Sequence, residues 1–284
     1  MTDLNVRPME RRHLEYASSL TQAENWHSET LEEFEGFFSH DPTGCMIVEQ
    51  DGRPVGIGVA TTYQDVGFLG QIVIEPAARG QGLGNKMVAA LVSYLRARGV
   101  RSICLDATKA GAPLYQRHGF RKAQPSLRYS GRMRGALHPH VRPMRAQDLA
   151  TVCALDRQWW GADRTFFVTR RWHLHPNLCR VLEQDGVILG YVLARRRGEK
   201  LWIGPWGAAA RVERPESLLE ALAAPDEMAH INAGILASSL RAISAFNNLG
   251  LDPVIDPPWR MVWGLDTGLG RGNEMLANGT SAKG

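Results

Sequence analysis

The sequence predicts an α/β protein built as two successive copies of one mixed-sheet domain. Three observations carry this. Val6-Arg7-Pro8-Met9 recurs as Val141-Arg142-Pro143-Met144, 135 positions later, and Glu49-Gln50-Asp51-Gly52 recurs as Glu183-Gln184-Asp185-Gly186, 134 positions later. Each second tetrapeptide leads into a glycine-containing apolar run, VGIGVA in one copy and LGYVLA in the other, and Cys45 and Cys179 keep the same spacing. The length of 284 residues suits two domains of ordinary size.

The first copy can be read element by element. Val6-Arg7-Pro8 is a short strand, and residues 10–23 have apolar positions at helical spacing. Thr30 and Glu33 are placed to form a capping box for a second helix, whose apolar face is Phe34, Phe37 and Phe38. Three apolar runs with hairpin connections follow, the first closed by Asp51-Gly52. A glycine-rich turn after Glu75-Pro76 opens a long helix that ends at Gly99. SICLDA is a strand, APLYQRHGF a short helix, and the segment to Tyr129 a last strand. The order is β-α-α-β-β-β-α-β-α-β. The polar SGRMRGALHPH run marks the boundary, giving domains over 1–132 and 140–266, and 267–284 reads as a disordered tail.

Composition narrows the function. Hydrophobic residues make up 44% and charged residues 22%, as in soluble globular proteins, and no apolar run would span a bilayer. The charged N-terminal stretch lacks a signal-peptide core, so a cytoplasmic protein without a membrane partner is expected. The four cysteines show no CxxC spacing and lie in apolar surroundings, which predicts buried thiols, with neither metal nor disulfides. The net charge of +4 comes mostly from arginine, but no basic run points to nucleic acid.

Chemistry concentrates in IVIEPAARGQGLGNK. Gly80, Gly82 and Gly84 stand at alternate positions between a strand and a helix start, where backbone amides and the helix dipole can hold an anion. The same pattern serves as a tight structural turn. A Walker loop needs Gly-Lys-Ser/Thr, which Gly84-Asn85-Lys86 does not supply.

In context this region resembles the GNAT superfamily of acyl-CoA-dependent N-acyltransferases. The resemblance rests on Arg79, Gly82 and Gly84 as R-x-x-G-x-G after a strand, with Tyr115 and His118-Gly119-Phe120 about thirty residues on. It covers nearly the whole first copy and implies a tandem protein with a degenerate second GNAT-like domain. It further implies acetyl-CoA as co-substrate, held by Arg79, Gly80, Gln81, Gly82, Leu83, Gly84 and Asn85 at the pyrophosphate. The strand Gln71, Ile72, Val73 and Ile74 would hold the pantetheine. Tyr115 would protonate the departing thiolate, and a backbone N–H near Ile72 or Val73 would receive the developing oxyanion.

The acceptor is expected to be a small amine or a peptide amine, on a monomer or homodimer. Trp26, His27 and Asp65 are candidates to contact it. Where some relatives carry a carboxylate, this chain has Gly70 and Gln71, so a water chain or a residue from elsewhere must accept the amine's proton, with Glu24, His27 and Asp65 as candidates; Glu75 reads as a solvated turn carboxylate.

Ungapped alignment sets Gly80, Gly82 and Gly84 against Val212, Arg214 and Glu216, and Tyr115 against Phe246 or, with a slip of one, Asn247. The second copy is therefore expected to support the first, its tryptophans Trp159, Trp160, Trp202 or Trp206 walling the acceptor site. A non-catalytic acyl-CoA sensor is the alternative function.

Overall fold

The computed structural model describes residues 4–26 and 29–280. The first copy runs β1 (Leu4–Pro8), α1 (Leu14–Ala23), α2 (Leu31–His40), β2 (Cys45–Gln50), β3 (Arg53–Tyr63), β4 (Val66–Ile74), α3 (Leu83–Ala97), β5 (Ser102–Ala107), α4 (Ala112–Arg117) and β6 (Arg121–Arg134). The second begins with β7 (Val141–Pro143), α5 (Leu149–Trp160), α6 (Thr165–Leu174), β8 (Cys179–Gln184), β9 (Val187–Arg197) and β10 (Lys200–Ala208). It continues with α7 (Ser217–Glu220), β11 (Met228–Leu236), α8 (Leu240–Asn248), β12 (Trp259–Gly264) and β13 (Met275–Ala277). The first copy thus has the predicted order. Two local expectations change: Arg11–His13 form a 3-10 turn ahead of α1, and the Thr30–Glu33 capping box is not made. Glu33 is buried, and the Thr30 carbonyl caps α2 by accepting from the Glu33 and Phe34 amides at 3.0 and 3.1 Å.

The repeated tetrapeptides meet in space. Arg7, on edge strand β1, donates to both carboxylate oxygens of Glu49 at 2.9 and 2.7 Å, which joins VRPM to EQDG. Arg142 makes the same link to Glu183 and adds a two-pronged bond to Asp148 at 2.6 and 3.0 Å. Asp51-Gly52 and Asp185-Gly186 all have positive φ, the two-residue turn that matches the twist of a hairpin. What was copied is the device that fixes an edge strand.

The chain divides into two compact units, but not at the expected ranges. The first unit holds the described residues up to Ala123 together with Arg260–Asp266; the second holds Gln124–Trp259 and Thr267–Thr280. Strand β6 runs through the supposed linker to Arg134, and its Ser126–Arg134 pair with Leu236–Met228 of β11. Tyr129 and Met133 are buried along it, an alternation diluted by the polar residues between them. Nor is the tail loose as far as the structure describes it: Met275, Leu276 and Ala277 are buried as β13. Residues 281–284 lie outside the described residues.

The sheet of the first unit has the order β1-β2-β3-β4-β5-β12, antiparallel through β4 and parallel between β4 and β5. Helix α3 packs on it through Leu83, Met87, Val88, Leu91, Val92 and Leu95, an apolar stripe at i, i+4 spacing. A Cβ on Gly58 or Gly67 would come within 2.8 Å of Met87 and Leu91, or 2.7 Å of Leu95. The strand glycines therefore let the helix lie close.

The second unit has the order β6-β11-β10-β9-β8-β7. The stacked pair Tyr129 and Phe246, with centroids 4.4 Å apart, and the buried Trp206 lie in its core. Strand β13 joins β10 antiparallel, setting Trp206 opposite Ala277 and Gly207 opposite Met275. The Ala208 amide donates to the Glu274 carbonyl at 2.9 Å, and the Ser239 hydroxyl to that of Met275 at 3.2 Å. Beneath lies a buried ion pair of Asp156 and Arg164 at 2.8 Å, which Tyr191 joins by donating to Asp156 at 2.6 Å. Arg164 also donates to the carbonyl of Asn278, anchoring the tail.

Two predictions follow from this packing. The Asp148 carboxyl is held below its usual range, first by its hydrogen bonds to Arg142. A depressed carboxyl contributes stability above its unfolded pKa of about 3.9 and loses it as pH falls through the folded value. Asp148→Asn should cost about 1–3 kcal/mol at pH 7, and the deficit should shrink below pH 4 in urea melts at both pH values. Met275→Ala, by emptying a buried site on β13, should lower stability by about 2–5 kcal/mol in the same assay; a smaller loss than about 0.5 kcal/mol would mean that the tail is not part of the core.

Candidate active site

The site begins where β4 stops pairing. On one side β4 matches β5 only at Val66–Ser102, Gly67–Ile103 and Phe68–Cys104, and the strands then part. On the other side its register against β3 slips: Val59 faces Gly70 while Ile57 faces Val73. This is a bulge, and it leaves Gln71 and Ile72 without a register partner on β3. Gln71 takes φ +55°, an uncommon conformation for a residue with a side chain. It is also buried, and its carboxamide oxygen has no hydrogen-bond partner among the described residues. The backbone from Gln71 to Ile74 therefore borders an open slot between two strands.

The slot leads to the glycine-rich turn. After Glu75 comes a 3-10 turn, Pro76–Ala78, then Arg79, then Gly80 and Gly82 at φ +80° and +79°. Nothing lies within 4 Å of a Cβ added at either glycine, so the backbone conformation, rather than space, requires glycine here. Gly84 is different, since its Cβ would lie 3.3 Å from Leu114 of α4. Among the described residues, no amide from Gly80 to Asn85 donates to a backbone carbonyl; the first that does is Lys86, to Gly82 at 3.1 Å. A run of free amides at the start of a fifteen-residue helix is an arrangement able to accept an anion.

Arg79 does not point into this turn. It donates to the Ile74 carbonyl at 2.9 Å and pairs with Glu24 beyond the end of α1. Its role is to tie the helix to the loop.

Helix α4 packs against the same region. His118, just beyond its end, lies 3.3 Å from the Asn85 side chain, and burial lowers its pKa, so it is neutral at pH 7. Tyr115 packs edge-on against Phe120, with centroids 6.0 Å apart. Burial raises its pKa to about 12, and its hydroxyl has no hydrogen-bond partner among the described residues. At neutral pH the phenol is protonated and able to donate.

The remaining candidates are scattered. Asp65 sits before Val66, at the far end of β4 from the turn, about 30 Å away at strand rise. There it pairs with Arg101 at 2.6 Å, which lowers its pKa, so it is not beside the bulge. Glu24 is paired with Arg79, and Glu75 is not a solvated turn carboxylate: it accepts from Tyr16 at 3.0 Å and pairs with Arg53. Trp26 follows α1 half-buried, its amide donating to the Thr21 carbonyl at 3.0 Å. His27 lies outside the described residues. All four cysteines are buried and none is in a disulfide, and no metal-binding group occurs among the described residues. No helix there is long and apolar enough to cross a membrane.

Sequence reasoning missed two parts of this region. One is the bulge, because no residue type announces a left-handed glutamine. The other is β12, which carries Arg260 into the first unit, where it donates to Asp106 of β5 at 2.6 Å. The isolated charge within the apolar run WRMVWG was the available signal.

The second unit lacks the slot. Its β10 and β11 pair in parallel from Lys200 to Ile203, and beyond that β13 lies on β10. The long helix is reduced to the four residues of α7, and Glu216 fills the turn before it. Trp159, Trp160 and Trp206 are core residues, so they do not wall a groove; Trp202 is half-buried.

Comparison with known proteins gives these features a family. A GNAT acetyltransferase family model matches residues 9–120, and a GNAT acetyltransferase domain model matches residues 152–274. A glucosamine 6-phosphate N-acetyltransferase of Trypanosoma brucei brucei is 30% identical over 91 residues, which is 32% of this chain and 61% of that protein. The chain thus spans less than two thirds of this curated relative. A crystal structure from Pyrococcus horikoshii, assigned to the acetyltransferases, superposes with a TM-score of 0.83 at 21% identity, covering 99% of this chain and 96% of that one. A tandem GNAT protein from the clavulanic acid biosynthesis pathway superposes with a TM-score of 0.63 at 13% identity, covering 92% and 98%. These structural likenesses show the fold. With two matched models spanning most of its length, the chain belongs to the GNAT acetyltransferase family and carries two of its domains in tandem.

Proposed function

We propose that the chain is an acyl-CoA-dependent N-acetyltransferase that transfers an acetyl group from acetyl-CoA to a primary amine, with its reacting centre in the first unit. The observation that carries this reading is the open slot beside Gln71–Ile74 leading to the free amides of Gly80–Asn85, together with the filled slot of the second unit.

The residues divide the work. The turn amides take the pyrophosphate of the donor, and the free edge of β4 takes its pantetheine amides as an added strand would. Alignment of amine and thioester supplies most of the acceleration, because the donor is already activated. As nitrogen attacks the carbonyl carbon, the C–N bond forms, the C–S bond breaks, and the carbonyl oxygen gains charge. An amide at the bulge, at Ile72, which the slipped register leaves without a partner on β3, stabilises that oxygen. The buried Gln71 carboxamide oxygen accepts from the incoming amine.

Tyr115 faces the leaving sulfur. With its pKa raised to about 12 it is a weaker acid than a typical thiol of about 8.5, so it acts by donating a hydrogen bond to the thiolate. The amine proton goes to water, since the carboxylates of Glu24 and Glu75 are held by arginines. The named activity of the trypanosomal relative supports an amino group as acceptor; small amines and peptide amines are both consistent with the slot. The second unit contributes stability and surface.

Calorimetry should find one acetyl-CoA site per chain, and Gly82→Glu should abolish it by placing an anion beside the phosphates on a left-handed backbone. Two equivalent sites would overturn the assignment to the first unit. Tyr115→Phe should keep acetyl-CoA affinity and lower kcat about 10- to 10²-fold, the worth of one hydrogen bond to a charge, read as thiol release with a panel of amines. Acetyl-CoA binding with no thiol release from any amine would favour a sensor over an enzyme.

A further inference from the structure

The parting of β4 and β5 has a vertex, and a buried cation sits on it. The last paired residues are Phe68 on β4 and Cys104 on β5. Alternation puts Asp106, two residues beyond Cys104 on the diverging half of β5, on the same sheet face as Cys104 and Phe68. Gly67, by contrast, faces Leu95 of α3. Arg260, from β12 of the same unit, touches both arms: its Nε donates to Asp106 at 2.6 Å, and its guanidinium lies 5.0 Å from the Phe68 ring centre. Both charged side chains are nearly sealed from water, at 2% and 3% exposure.

Strand β12 is itself held in place. Its Trp263 packs under Arg96 of α3 and against Gly119, the Leu265 amide donates to the Arg101 carbonyl at 3.1 Å, and Arg121 donates to the Gly264 carbonyl at 3.1 Å. The guanidinium is thus a rigid plane anchored to strands and a helix rather than to a loop.

A charge pair this deep is a weak source of stability, because desolvating both ions offsets their attraction. Its geometry suggests another use. We propose that Arg260 and Asp106 clamp the vertex of the slot, fixing the separation of β4 and β5 and thereby where the pantetheine arm and thioester lie along β4. Arg260 is then a positioning residue supplied by the far end of the sequence. The inference rests on the acyl-CoA reading above. Since phosphates bind at the glycine turn, the thioester end of the donor lies toward the vertex, where a change of strand separation matters most.

The test uses full-length Asp106→Leu/Arg260→Met, which replaces the pair with apolar groups and should melt close to the wild type. Calorimetry is run with acetyl-CoA and with its fragment adenosine 3′-phosphate 5′-diphosphate, which reaches only the turn. The clamp predicts unchanged fragment affinity and acetyl-CoA affinity lower by about 10- to 10²-fold, as small displacements in a site can cost. Unchanged acetyl-CoA affinity, or equal loss of both ligands, would overturn it. If the double variant does not fold, Arg260→Lys decides: the charge remains, the planar fork is lost, and the same split between the two ligands is required. A wild-type protein that binds no acetyl-CoA would instead refute the proposed function and leave the clamp without an object.

Discussion

Two parallel strands that diverge inside a fold leave backbone donors and acceptors facing a gap, and such groups must find partners. Much of this molecule is arranged around that requirement. In the first unit, β4 loses β5 after Phe68 and loses register with β3 at Gln71, so its second half presents an unsatisfied edge. In the second unit the corresponding edge of β10 is covered by β13, with Trp206 opposite Ala277. One sheet design therefore has two outcomes: an edge left open, and an edge closed by the chain's own tail. The shortening of the following helix to α7 fits the second outcome, because a closed edge has no use for amides at a long helix N-terminus.

What the two copies retained is mechanical. Arg7 with Glu49, and Arg142 with Glu183, hold a short edge strand against its neighbour, and the Asp-Gly turns fix the hairpin next to it. Edge strands slip or recruit other chains unless something secures them. Each copy needs this device whether or not it binds a ligand.

The fold of the first copy was legible because its signals are local: apolar periodicity, Asp51-Gly52, and a strand-glycine-helix run. The turn was legible for the same reason, since left-handed backbone at Gly80 and Gly82 leaves a mark in composition. What could not be read depends on partners distant in sequence. The last residues of β6, from Ser130 to Arg134, looked like a linker because the core-facing Met133 stands among polar residues and glycine, and their partner β11 lies about a hundred residues on. The tail looked disordered because three buried residues are flanked by glycine, asparagine and threonine. Gln71 belongs to neither kind, since its strained backbone follows from a register slip that its own identity does not encode. Asp65 failed as a site residue for a plainer reason: sequence shows it near β4 but not which end of that strand matters.

The inclusion of Arg260–Asp266 in the first unit bears on how the protein is made. Domains commonly fold in order as they leave the ribosome, at about 5–20 residues per second. Here β5 emerges early, yet its outer neighbour β12 is synthesised roughly 150 residues later, so about eight to thirty seconds pass before that edge can be sealed. During that interval Ser102–Ala107 present an apolar strand with one side bare, the kind of edge that templates aggregation. Anything that slows or truncates translation in the second half therefore endangers the first half, although every residue of its glycine turn has already been made.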